Sequence, residues 1–166
     1  MKFAATRPQK VRTLIVSGAT VKLDFLAPSI PEKVRRMNED SIRAWAESTM
    51  RDRLGTGLAP EAVTWWIELM GQAPKDSVLG VYRMLPSIDI TAEIRRITAP
   101  TLVMTSSNGG YYGTSSEFAS WQTNIPDSEL LLIAGDSYHI SASYPDACAA
   151  EAAAFLRRRA SMPRFA

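Results

Sequence analysis

Histidine and cysteine each occur once in these 166 residues, and that scarcity removes several kinds of chemistry. Cys148 alone cannot close an internal disulfide. A zinc site with one histidine and one cysteine would need mainly carboxylates, so none is expected. There is no G-x-G-x-x-G and no phosphate-binding glycine loop, and no cofactor is expected. Gly109-Gly110-Tyr111-Tyr112-Gly113 suits a substrate-edge loop better than a phosphate cradle. No apolar run approaches the length of a bilayer span, and no signal peptide opens the chain. A reducing, cytoplasmic setting is the default, with no membrane partner. Excess charge is also lacking, the formal net charge being +2. Arg157-Arg158-Arg159 ends an Ala-rich helix, where cations favour the negative end of the helix dipole. A nucleic-acid footprint needs a wider basic face, so no nucleic-acid partner is expected. Cys148, in A-C-A-A, reads as a small buried side chain.

What is present is ordinary globular material, 46% hydrophobic and 22% charged, in an amount that suits one domain. Leu14-Ile15-Val16 and Leu130-Leu131-Leu132-Ile133 read as short buried strands, and Thr101-Leu102-Val103 as a third. Pro8 stops a short helix ahead of the first. From Ser29 to Leu85 the pattern is helical. Ser29-Ile30-Pro31-Glu32 has the form of a capping box with proline in the first turn. Val34, Met37, Ile42, Trp45 and Met50 then recur near helical spacing, and Gly55-Thr56-Gly57 breaks the run. A second helix is expected after Pro60, carrying Val63, Trp66, Ile67 and Met70. A third opens at Pro74-Lys75-Asp76, and residues 91–97 form a short helix leading to Pro100.

The stretch from Ile97 to Phe155 resembles the last two strands and final helix of the α/β-hydrolase family. The residues that carry this are Ala99-Pro100-Thr101-Leu102-Val103, Ile125-Pro126-Asp127 and Gly135 to His139. Asp89, Ile94 and Ile97 extend it to a D-x-x-x-x-I-x-x-I-x-A-P-T-L pattern similar to lactonase and esterase members. Ala4, Pro8 and Val11 resemble the A-x-x-x-P-x-x-V segment in which the helix after the family's nucleophile ends. By that resemblance Met1 looks like an internal methionine of a longer protein, and the first half of the fold is absent.

Acyl transfer needs a nucleophile, a base to deprotonate it and a carboxylate to orient the base. No G-x-S-x-G occurs, so the nucleophile that the resemblance implies is not in this chain. His139 falls where the family keeps its base, on a loop at a strand's carboxyl end, where open parallel sheets bind ligands. The family's usual acid follows T-L-V-x-x in a G-x-x-D segment. Here Ser106-Ser107-Asn108-Gly109 puts glycine in the carboxylate position. Asp24, beyond the first strand, ranks first as a substitute acid and Glu117 second. Their plainer readings are a polar loop residue and a solvated first-turn acid. Trp45, Trp65, Trp66, Met70 and Tyr111 are candidate pocket residues, with cap packing as the competing role for each.

The resemblance implies an α/β fold, partial, with about three parallel strands, flanking helices and an inserted helical cap. Strands are expected over residues 11–17, 101–105 and 129–134. The organisation is residues 1–28 as core, 29–90 as cap and 91–166 as the carboxyl-terminal core. The implied activity of the intact family form is hydrolysis of a small carboxylic ester or lactone. The alternative is a noncatalytic small-molecule-binding or protein-interaction half-domain. The expected partner is a small apolar ester-like molecule. An exposed sheet edge also favours self-association or docking of the missing amino-terminal half.

Overall fold

A computed structural model of the chain describes residues 1–108 and 115–160. Among them, three strands, β1 (Leu14–Ser17), β2 (Thr101–Ser106) and β3 (Ser128–Ile133), form a parallel sheet in the order β1-β2-β3. Leu14 pairs with Thr101, and Thr101 with Ser128, so the three strands start level. β2 is buried along its whole length, as a central parallel strand must be. The first strand is shorter than the sequence suggests. Its partner begins only at Thr101, after a proline that has no N–H to extend the ladder, and Pro8–Lys10 forms a 3-10 turn.

The core helices are α1 (Lys2–Thr6), α6 (Ser115–Gln122), α7 (Ile140–Ser143) and α8 (Pro145–Ala160). Val103, Ile94, Ile97, Phe118 and Ile125 pack on one side of the sheet, and Leu102, Met104, Ile140 and Phe155 on the other. The arginines ending α8 do more than meet a dipole. Arg158 donates to Glu129 at 2.8 Å, and Arg159 to Asp127 at 2.8 Å and Glu129 at 3.0 Å, which ties the helix end to the start of β3.

Between β1 and β2 rises a helical cap of α2 (Ile30–Glu39), α3 (Ile42–Leu54), α4 (Pro60–Gly71) and α5 (Lys75–Met84). The chain enters and leaves it through paired antiparallel segments. Lys22 bridges Asp89, Leu23 N–H donates to the Ile88 carbonyl, and Ile90 N–H to the Val21 carbonyl. The cap has its own apolar centre, in which Met37, Met50 and Leu54 are fully enclosed.

Three local expectations are corrected. Ser29 makes no capping box: it has helical torsions at the end of a 3-10 run, Asp24–Ser29, and its hydroxyl donates back to the Leu26 carbonyl at 2.9 Å. The long periodic run is two helices, separated where the Ser41 hydroxyl accepts the Ala44 N–H and caps α3. Residues 91–97 contain only a 3-10 turn, Ile94–Arg96, so the apolar Ile94 and Ile97 are buried by the tight turn rather than by a helix face.

Candidate active site

The carboxyl ends of all three strands converge on one loop. β1 ends at Ser17, whose hydroxyl hydrogen-bonds the Ser141 hydroxyl on α7. Gly18 follows at φ +57, and a Cβ there would lie 2.2 Å from the Tyr138 carbonyl, so only glycine allows this approach. From β2, Asn108 N–H donates to the Gly135 carbonyl at 3.1 Å. From β3 the chain runs through Gly135 and Asp136 to His139, which immediately precedes α7.

The same loop fastens the cap. A helix leaves its last carbonyls without intrahelical donors, and the His139 loop supplies them to α3. The Arg53 carbonyl accepts from Tyr138 N–H at 2.9 Å, His139 N–H at 3.1 Å and the Ser137 hydroxyl at 3.2 Å. The Leu54 carbonyl accepts from the Ser143 hydroxyl at 2.8 Å, and Ser143 also bonds Ser137 at 2.7 Å. Asp136 accepts the Thr56 N–H at 3.0 Å, and that bond holds its carboxyl below the usual range. Asp136 is thus a clamp on the cap and not the orienting acid of His139. His139 is fixed in backbone position by the end of a cap helix.

Its imidazole stands between two cavities of about 350 and 390 Å³. The larger has Ser17, Ser141 and Ala142 from the core and Met50, Trp66 and Met70 from the cap. The smaller lies further under the cap, with Trp45, Arg53, Val78, Tyr82 and Tyr138. His139 and Met70 border both. The Tyr138 ring leans against the imidazole at 4.8 Å, and the imidazole makes no hydrogen bond among the described residues. The surrounding apolar walls, and then the Arg53 cation, push its pKa down to about 4. The ring keeps an open face, and water there opposes part of that loss, while the direction stands. At neutral pH the imidazole is the free base, the form able to accept a proton.

Of the sequence-derived candidates, His139, Trp45, Trp66 and Met70 come together. Trp65 does not: it is exposed on α4 and set edge-on to Trp66 at 5.0 Å. Asp24 is exposed and pairs with Lys22 at 2.9 Å near the cap neck. Glu117 is exposed in the first turn of α6 and borders neither cavity. Tyr111 and Gly109 lie outside the described residues. Cys148 is buried, and burial pushes its thiol pKa up, away from the reactive thiolate.

Arg53 was not singled out from the sequence. The signal was there: counting 3.6 residues per turn, it falls in the stripe of Ile42, Trp45, Ala46 and Met50, all buried. A cation inside an apolar stripe is uncommon unless it is paired.

No family model and no curated protein sequence matches this chain. Solved structures do. A hydrolase from Pseudomonas aeruginosa PA01 superposes with a TM-score of 0.81 at 17% identity, over 93% of this chain and 58% of its own. The enol-lactonase from Burkholderia xenovorans LB400 gives 0.79 at 13%, over 93% and 60%. A thermophilic esterase from Thermogutta terrifontis gives 0.78 at 18%, over 95% and 60%. The architecture is a partial α/β-hydrolase fold: three parallel strands, flanking helices and an inserted helical cap, spanning about three fifths of the length of these structures.

Proposed function

We propose that this chain is the cap and carboxyl-terminal core of a serine-type hydrolase of small carboxylic esters or lactones. In this reading His139 is the general base, the nucleophile and oxyanion donors come from residues outside this chain, and a small apolar ester lies between cap and core. The observation that carries the reading is the position of a neutral imidazole at the strands' carboxyl ends, at the junction of two largely apolar cavities. Pockets of that size and lining suit small organic ligands. The edge of β1, which has one strand partner among the described residues, is where the remaining sheet or a second copy would add.

A noncatalytic binding module is the second reading. It is favoured by the lack of any carboxylate hydrogen-bonded to the imidazole among the described residues, since an unoriented base loses much of its effect. Asp24 and Glu117 remain the candidate acids only if they move toward His139 in the working protein.

The test is turnover of 4-nitrophenyl butyrate and γ-butyrolactone by the polypeptide that the gene's whole reading frame encodes, beside its His139→Ala variant. The hydrolase reading expects kcat to fall by roughly a thousandfold or more in the variant, with the binding constant, read from tryptophan fluorescence, little changed. Turnover at the buffer rate in the parent, with binding intact, would favour the binding module.

A further inference from the structure

Arg53 is buried, with 6% of its surface exposed, yet no carboxylate pairs with it among the described residues. Its Nη2 donates to the Tyr82 hydroxyl at 2.9 Å, and the guanidinium carbon stands 4.3 Å over the Trp45 ring. Its Nε is buried without a hydrogen-bond partner. A guanidinium has five N–H donors in a planar fork and is always charged. A neutral phenol and an aromatic face satisfy it only in part, and a buried charge left unpaired is costly. The surface chemistry of this chain handles arginines differently. Arg35 and Arg43 each meet two carboxylates in full solvent, where such pairs contribute least. The one arginine that most needs an anion lines the smaller cavity instead, with Tyr82 and Ser77 as further hydroxyl groups and with His139 also in the lining.

We infer that the cavity beneath the cap is a carboxylate subsite: Arg53 receives the carboxylate of a small, otherwise apolar ligand whose body lies against Trp45, Val78 and Leu85. A carboxylate accepts two parallel N–H bonds from a guanidinium, the geometry for which arginine is suited. Tyr82 keeps the fork in place through Nη2 and leaves Nη1 and the second Nη2 N–H for the ligand, while Nε is closed off from the cavity. His139 is neutral at the pH of the test, so the anion's attraction comes from Arg53 alone. This subsite rests on the cavity being the substrate pocket proposed above. It narrows the substrate class to esters or lactones that carry a second, free carboxylate, bound remote from the reacting carbonyl.

The experiment is isothermal titration at pH 7.5 with phenylacetate and with its neutral isostere phenylacetamide, on the parent and on Arg53→Met and Arg53→Lys. The parent is expected to bind the acid at least tenfold more tightly than the amide. Arg53→Met is expected to abolish that preference while still binding the amide, and Arg53→Lys to retain part of it. Equal affinities in the parent, or a preference that survives in Arg53→Met, would overturn the subsite and leave Arg53 a structural post for Trp45. If Arg53→Met fails to fold, the parent decides by NMR. A downfield shift of the Arg53 Nη–H signals with phenylacetate and not with phenylacetamide supports the subsite, and its absence overturns it. Ester turnover plays no part in these readouts. Acid-selective binding with no hydrolysis would keep the subsite and discard the hydrolase, and hydrolysis of neutral esters without acid selectivity would do the reverse.

Discussion

The cap and the sheet core solve the same burial problem with different degrees of independence. The cap encloses Met37, Met50 and Leu54 among its own helices and the 3-10 run that leads into them. The core encloses β2 completely but leaves its flanks open, with Leu132 on β3, Leu156 on α8 and Phe3 on α1 exposed by 42–62%. A helix bundle closes on itself because each helix needs only one apolar stripe covered. A three-stranded parallel sheet has two edges and two faces, and few strands cannot cover them. The cap thus resembles a complete unit and the core an open one, joined at the His139 loop. That loop carries the mechanical connection.

The comparison is sharpest if the two regions unfold separately, and large-to-small substitutions test this. Phe155→Ala in the core is expected to cost about 3–5 kcal/mol and Leu54→Ala in the cap about 2–5 kcal/mol, both read from urea denaturation. One shared transition in both variants would mean that the clamp makes cap and core a single cooperative unit. Separate transitions, each moved by its own variant, would mean that the cap is autonomous.

The clamp can then be loosened directly. Gly55 sits at φ +68 and ψ −163, a region open essentially only to glycine, and a Cβ there would lie 2.2 Å from Asp136 Oδ1. Gly55→Ala is expected to cost roughly 1–3 kcal/mol and to raise amide hydrogen exchange at Tyr138 and His139. Ser143→Ala strands the Leu54 carbonyl and one Ser137 bond, with an expected loss of about 1–3 kcal/mol. A wild-type exchange pattern in either variant would break the claim that these contacts join the two regions.

Acid should weaken the same junction. The folded imidazole protonates near about 4, and an unfolded histidine near 6.5. Between those values the unfolded chain binds more protons, so this group's contribution makes stability fall as pH drops from about 6.5 to about 4. Above that window the contribution is constant. His139→Gln should flatten the midpoint-against-pH curve there, and an unchanged slope would show that the ring's open face keeps it hydrated. Asp136, with its carboxyl held low by Thr56, adds a separate loss at still lower pH. The smallest effect is expected at the open flank. Leu132→Ser should change stability by no more than about 0.5 kcal/mol, while sedimentation velocity shows less self-association if that flank is where copies meet.

Much of the architecture was legible because it is local. The apolar runs at Leu14-Ile15-Val16 and Leu130-Leu131-Leu132-Ile133 are strands, Pro60 and Pro74 open helices, and Gly55 ends one. The errors were also local, and each came from a competitor that the pattern does not display. Ser29 had the right neighbours for a cap, but the chain reached it already coiled in a 3-10 run, which turned its hydroxyl backward. The Ser41 cap was hidden inside a periodic run that continued on either side of it.

By itself the sequence carried the apolar runs of the strands and the helical pattern of the cap. Its resemblance to the α/β-hydrolase family supplied the class of fold and His139 as a candidate, since periodicity, turn residues and motifs are properties of short stretches. Only the tertiary structure decided what surrounds His139. It joined the Arg53 carbonyl to residues 84 or more positions away, turned Asp136 toward Thr56, and kept Asp24 with Lys22 at the neck. It also enclosed Arg53 with no acid paired to it among the described residues. Such pairings depend on which distant surfaces are pressed together when apolar area leaves water, and a linear pattern does not encode that distance.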